Sequence, residues 1–423
     1  MRTAILTDFI SHDPAYSLCS VVANQIKMLG DQDLTLFVRK GFDPADAAKA
    51  YGQYRQGAPG GIVVLDPGET GSNVVKVTPD SEAEIVHLLE QFEQHLAGID
   101  VVLTHDLIYQ ANMWKYHVAA RRFAAKHPKV RWLHWVHSAT DLGTAKATGR
   151  YAQELRGRMP GSWLVAMHEE EINRKGGMFG YERDQIVVIP NPLDIMEDYH
   201  PLTREILGDR AYAADILIVY PARLDRGKQV EVIGEIGAAL NTIGWATLVL
   251  VCDFHSTAGD KATYRDSLKA TYGGFMSFVS DCSRETSYRV PHKVIMDLFD
   301  YADVFIHPSK SESDPLIVPE AAWRRNALML NFDLPVFRQW DGRALFGKFS
   351  SNIDVTSGQP GETNTDYADR AAYMTGLARA IAYTVQQNPI LANHRLVRQT
   401  RSLEAVRAKA LLPAIEGIRA WMR

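Results

Sequence analysis

Four charged side chains stand out by type and spacing. Arg223 and Lys228, with four residues between them, directly follow an apolar run from Ile216 to Tyr220. Glu312 and Glu320, with seven residues between them, bracket a turn that opens a helix. A strand-to-helix turn presents free backbone N–H groups and the positive end of a helix dipole, a ready site for a phosphate or a sugar hydroxyl. An arginine fork and a lysine ammonium at a second such turn suit the same kind of anion. Spacing alone also fits a solvated turn and a helix-surface carboxylate, so the surrounding elements must decide.

Those elements read clearly around His307 to Leu330. Asp303 to Ile306 is a short apolar run suited to a buried parallel strand. Pro308 breaks it. Ser313 or Asp314 is expected to cap a helix with Pro315 at its first position, running to about Arg325. A strand and Pro335-Val336 follow. Elsewhere strand and helix alternate. Strands are expected at Arg2 to Thr7, Leu34 to Val38, Ile62 to Leu65, Val74 to Val77, Asp100 to Thr104, Val130 to Val136, Ser162 to Met167 and Ile186 to Ile189. Helices are expected at Ser17 to Leu29, at a capping box of Ser81 and Glu84, and at Tyr109 to Lys126. This pattern predicts an α/β fold whose first 190 or so residues form one Rossmann-like domain, binding ligands at the C-terminal strand ends. Ile195 to Asp215 reads as linker. A second domain follows from Ile216, with Thr356 to Thr365 as a surface loop and long helices at Tyr367 to Gln387 and Leu403 to Met422.

Glu312-x7-Glu320 after Pro308-Ser309, with Arg223-x4-Lys228 upstream, resembles the donor-site signature of retaining GT-B glycosyltransferases of the family 4 type. The resemblance spans roughly Ile216 to Phe337. It implies two Rossmann-like domains facing across a cleft. The acceptor domain would span 1–194, with a last helix from about Leu411 packing back on it, and the donor domain 195–410. It implies transfer of a hexose from a UDP- or GDP-sugar to an acceptor hydroxyl with retention, with no further cofactor and no metal. Arg223 and Lys228 would clamp the donor diphosphate. Glu312 would meet the sugar hydroxyls, and Glu320 the ribose. Ser313, Asp314, Pro315, Leu316 and Ile317 would line the donor site, the last two through backbone N–H groups. His137, at a strand end of the first domain, would face the sugar; His134 in the same strand is expected on the same face, and His105 competes for the role. Three departures are visible. Ser313-Asp314-Pro315-Leu316 stands where the family has Gly-Phe-Gly-Leu, the loop from Asp8 to Pro14 lacks glycines, and Pro192 replaces a glycine in Asn191-Pro192-Leu193-Asp194.

Composition narrows the alternatives. The 423 residues are 46% apolar and 23% charged, with a net charge of −4, so no global basic field is present to hold a nucleic acid. Apolar runs such as Ala246 to Cys252 are too short to span a bilayer, and Met1 leads straight into a strand, so a cytoplasmic protein without a leader is expected. Cys19, Cys252 and Cys282 lie far apart without metal-ligand spacing, and read as reduced thiols. There is no phosphate-binding Gly-x4-Gly-Lys-Ser/Thr loop and no glycine-rich dinucleotide fingerprint. Lys115 to His117 and Glu169 to Glu171 read as helix faces in water. Two rivals to transfer onto a glycan or small molecule remain. One is a same-fold enzyme glycosylating a modified base in DNA, for which Arg150, Arg156 and Arg158 supply a basic stretch. The other is a non-catalytic nucleotide-sugar-binding protein.

Overall fold

A computed structural model describes residues 1–13, 15–45, 51, 61–68, 77–137, 146–254, 259–286, 289–349 and 370–421. The chain divides into two units, 1–195 with 400–423, and 196–399. Most of the strand expected at Val74 to Val77 and all of the loop at Thr356 to Thr365 lie outside the described residues.

In the first unit seven strands pair in parallel: β1 (Arg2–Leu6), β2 (Asp33–Arg39), β3 (Gly61–Leu65), β4 (Val101–His105), β5 (Arg131–Trp135), β6 (Ser162–Ala166) and β7 (Ile186–Val188). Their order is β3-β2-β1-β4-β5-β6-β7. Successive residues bury on opposite faces. Ala4, Leu6, Val102, Trp132 and Leu164 join one apolar cluster, while Ile5, Leu103, Leu133 and Val165 join the other. Both faces are therefore dry, which is why these strands read as continuous apolar runs. Helix α1 (Ser17–Met28) covers one face through Leu18, Cys19, Val22 and Ile26. Helices α2 (Ser81–Leu96), α3 (Trp114–Lys126) and α4 (Glu171–Phe179) cover the other.

Two local expectations fail here, for one reason. Ser81 is the first helical residue and takes the Thr78 N–H at 2.9 Å, so no capping box forms. Glu84 instead pairs with Lys115 at 2.5 Å. Lys115, Tyr116 and His117 are buried, not a wet face, because α3 packs against α2 and the sheet, and a buried ammonium needs a countercharge. Glu171 likewise pairs with buried Lys175 at 2.9 Å, leaving Glu169 and Glu170 to solvent.

In the second unit α5 (Pro201–Leu207) occupies the expected linker, held by Asp297, which accepts from the His200 N–H at 2.8 Å and the Thr203 hydroxyl at 3.1 Å. Six parallel strands follow: β8 (Ile216–Arg223), β9 (Thr247–Phe254), β10 (Met276–Phe278), β11 (Val304–His307), β12 (Ala327–Asn331) and β13 (Leu345–Gly347), the last not foreseen. Their order is β10-β9-β8-β11-β12-β13, the pattern of the first six strands of the first unit. The helices are α6 (Val230–Thr242), α7 (Gly259–Tyr272), α8 (His292–Tyr301), α9 (Ile317–Trp323), α10 (Arg370–Gln387) and α11 (Pro389–Thr400). At the N-terminal end of β11 the Asp303 carboxylate takes Arg398 at 2.8 and 3.1 Å and the Leu217 N–H at 2.8 Å, all out of water. Pairing and extra backbone bonds are what make such burial tolerable.

The chain then returns to the first unit. Leu193 donates its N–H to the Arg401 carbonyl at 2.7 Å and bridges to Ser402. Where one helix was expected from Leu403 to Met422, α12 (Leu403–Val406), a π-helical turn at Arg407–Leu411 and α13 (Leu412–Ala420) follow one another. Leu403, Val406, Leu411, Ile415 and Ile418 complete the cluster over α1. Gly417 allows the approach: a Cβ there would stand 3.1 Å from the Trp163 ring.

Candidate functional site

In the second unit the chain leaves β8 toward β9 on one side and later crosses to β11 on the other. That reversal opens a crevice at the C-terminal ends of β8 and β11, the place where open α/β sheets bind ligands. A pocket of ≈ 230 Å³ lies there, lined by Tyr220, Arg223, Lys228, Phe254, His307 and Glu312, with Pro315 and Ile317 at α9.

Each wall has a local cause. After β8 a short 3₁₀ turn at Arg226–Lys228 passes into Gln229, whose φ of 50° lets α6 start at a new angle. Tyr220 donates its hydroxyl to the Lys228 carbonyl at 3.2 Å, and the Gln229 side chain donates to the Phe349 carbonyl at 2.8 Å. Across the crevice, Lys310 donates its N–H to the Gly227 carbonyl at 2.9 Å, and Asn331 holds the Ser309 carbonyl at 3.0 Å. The two loops are thus stitched together by backbone.

Lys228 Nζ lies 2.5 Å from Oε1 of Glu312, and His307 Nε2 lies 3.1 Å from the same oxygen. Burial opposes ionisation of Glu312, yet hydrogen bonds from His307, Lys228 and Ser309 outweigh it and hold the carboxyl down at about 2. Arg223 is 64% exposed, with Asp225 its neighbour at 3.6 Å, so its guanidinium is open to a ligand. Two cations, an ionised carboxylate and an imidazole at one sheet edge can bind an anion and a hydroxyl side by side.

Of the residues singled out from sequence, Arg223, Lys228, Glu312, Pro315 and Ile317 come together on this pocket. Ser313, Asp314, Leu316 and Glu320 are not among its walls. Neither Ser313 nor Asp314 caps α9; Leu316 holds the cap position without a side-chain bond, and Pro315 falls two residues before the first turn. The helix starts late because Pro315 and Leu316 form a turn, closed by the Val318 N–H on the Pro315 carbonyl at 3.1 Å. Glu320 lies 3.0 Å from His292. Sequence reasoning missed His307, Tyr220 and Phe254. All three end or nearly end apolar strands, and a polar or aromatic residue at the exit of the central strands was the signal available.

His137 belongs to the first unit. Its N–H donates to Asp106 at 2.8 Å, and its ring stacks at 6.0 Å on His105, which is held by Gln25 at 2.8 Å. Burial lowers the His137 pKa, against the opposing charge of Asp106. His134 does not share that face: it accompanies Thr104 at 2.9 Å and Tyr109 within the other cluster, since strand neighbours alternate. Asp106 has a φ of 48° and Tyr109 of 67°, a strained exit from β4. Nearby at the exit of β1, Asp8 accepts from the Tyr116 hydroxyl at 2.9 Å and lies 3.5 Å from Arg39. Burial dominates there and pushes its carboxyl up to about 6. In the basic stretch, Arg150 lies over Tyr151 and near Glu82, and Arg158 over Trp421; Arg156 is exposed. Among the described residues no helix is long and apolar enough to cross a membrane, and no three His, Cys, Asp or Glu gather as a metal site.

No protein-family model and no curated protein matches the sequence. Among solved structures the chain is similar to Anabaena HepE in complex with UDP-glucose, at 13% identity over 100% of both chains and a TM-score of 0.37. It is similar to sucrose-phosphate synthase from Thermosynechococcus elongatus, at 17% identity over 100% of this chain and 99% of that one, with a TM-score of 0.35. A glycosyltransferase from Rickettsia africae gives 13% identity over 99% and 98%, with a TM-score of 0.34. Scores below 0.5 at such identities bear no weight on chemistry, which stands on the strand order and the residues above.

Proposed function

We propose that the protein is a retaining GT-B glycosyltransferase that moves a hexose from a nucleotide-diphosphate sugar to an acceptor hydroxyl. One observation carries the proposal: Lys228 and Glu312 meet at 2.5 Å in the crevice between β8 and β11, beside an open Arg223. In the donor the bond between the anomeric carbon and the diphosphate oxygen breaks, and its electron pair leaves with the diphosphate. Arg223 and Lys228 stabilise the charge that grows there, more in the transition state than before it. The acceptor oxygen bonds to the anomeric carbon from the same face, and its proton passes to the leaving diphosphate. Glu312 takes hydrogen bonds from the sugar hydroxyls, and the backbone N–H groups of Leu316 and Ile317 reach the diphosphate. Glu320 serves the ribose once it leaves His292, with Ser313, Asp314 and Pro315 forming the loop above the sugar. His137, held by its N–H to Asp106, is the residue of the first unit assigned to the transferred sugar.

The test is a thermal-shift panel of UDP, GDP, UDP-sugars and GDP-sugars, followed by assay of donor hydrolysis without acceptor. A true donor at 100 times its dissociation constant adds about 2.7 kcal/mol of stability. A panel without a single shift removes the donor site. A shift without hydrolysis or transfer leaves a binding protein in place of an enzyme.

A further inference from the structure

His307 is an imidazole with an enclosed ring and one outlet. Phe305 stacks on it at 5.6 Å, Phe337 meets it edge-on at 5.4 Å, and Tyr220 lies at 6.0 Å. The residue is 3% exposed. Its Nε2 points to Oε1 of Glu312 at 3.1 Å, while Nδ1 is buried with no hydrogen-bond partner among the described residues. An ionised carboxylate only accepts, so Nε2 carries the hydrogen of this bond. A hydrogen on Nδ1 would find no acceptor, which selects the tautomer protonated at Nε2.

Two of the donors to Glu312, of different kinds, share Oε1. Lys228 sits on a flexible four-carbon stem, 24% exposed at the pocket wall. An arriving diphosphate draws that ammonium toward itself. The imidazole cannot follow, because three aromatic rings fix it. Oε2 takes neither of these two bonds. The charged and titratable groups facing this carboxylate are Lys228 and Arg223 from the β8 exit, Tyr220 from β8 and His307 from β11.

On the donor-site reading given above, we propose that His307 is the positioning residue of the site. It keeps Glu312 ionised and turned toward the sugar while Lys228 serves the diphosphate. A bare nucleoside diphosphate engages the cations and does not need Glu312. A nucleotide sugar needs both.

The experiment measures dissociation constants of UDP, GDP, UDP-glucose and GDP-mannose for the full chain between pH 4 and 7. It compares wild type, His307→Phe, which suits the aromatic cage but cannot donate, and His307→Gln, which keeps a donor. At pH 7 the Phe variant is expected to lose about tenfold in affinity for the sugar nucleotide, the scale of one charge-assisted hydrogen bond, and to bind the bare diphosphate unchanged. Its sugar-nucleotide affinity should fall further as pH drops toward 4, where wild type stays level, and Gln should recover most of the loss. Equal weakening of both ligands, no weakening, or an unchanged acid limb overturns the proposal. If Phe does not fold, as judged by circular dichroism, His307→Asn and Gln decide: affinity lost with Asn and kept with Gln supports a donor at the reach of Nε2, and equal behaviour overturns it. A wild type that binds none of the four ligands defeats the donor-site reading itself, before the variants are compared.

Discussion

The second sheet repeats the order of the first six strands of the first, yet the carboxyls beside the exits of their first strands behave in opposite ways. At the exit of β1, Asp8 has a hydroxyl at 2.9 Å and a guanidinium at 3.5 Å, and burial wins, raising it to about 6. Beside the exit of β8, Glu312 has an ammonium at 2.5 Å and an imidazole at 3.1 Å, and the donors win, lowering it to about 2. Topology supplies a place; the closeness and number of donors supply the chemistry. The pH consequences run in opposite directions. Glu312 contributes stability above its ordinary value of 4.5, lost as pH falls toward about 2. Asp8 favours the fold below its ordinary value of 3.8, and that contribution is lost as pH rises through about 6.

The contrast can be broken at its strongest point first. Lys228→Ala should lower turnover by about 10²–10³ while circular dichroism stays unchanged, because it removes a cation from the leaving charge. Near-normal turnover would return the second crevice to the status of a structural ion pair. Next in size, Asp8→Asn should stabilise the protein at pH 7 by about 2–3 kcal/mol in urea unfolding, since it removes a buried ionised group. The gain should vanish below pH 4, where Asp8 is protonated; a gain independent of pH would mean burial is not what sets this carboxyl. The smallest effect belongs to Glu320→Gln. Its pair with His292 is solvent-facing, so stability should move by less than about 1 kcal/mol. A fall in nucleotide affinity without a change in stability would mark the ribose role, and unchanged affinity would leave Glu320 a helix-surface residue.

How much of this was visible in the residues alone depended on how local its cause is. The strand runs were readable because both faces of each sheet are dry, so Asp303 to Ile306 and Ile216 to Tyr220 stand out as mainly apolar stretches, close to the observed β11 and β8. Lys228 and Glu312 were readable because their loops follow such stretches directly. Helix starts were not. Ser81 offered a cap in sequence, but its hydroxyl was taken by Thr78, and Glu84 was claimed by Lys115, a residue 31 positions away. His307 was overlooked because its significance lies in Phe305, Phe337 and Tyr220 around it, a cage that spacing does not display. The burial of Lys115 to His117 was hidden for the same reason: only tertiary packing says which side of a helix is dry.

The bridge from Leu193 to Ser402 makes the second unit an insertion within the first. During synthesis residues 196–399 emerge as one continuous segment and have everything their sheet needs. The earlier-made unit must wait, because Leu403, Val406, Leu411, Ile415 and Ile418 come last. Burying five such side chains is worth about 8–15 kcal/mol, comparable to the whole stability of a domain. At about 5–20 residues per second, the N-terminal sheet stands uncovered on the ribosome for ten seconds or more. The vectorial order of birth is therefore inverted: the half translated first is the half finished last.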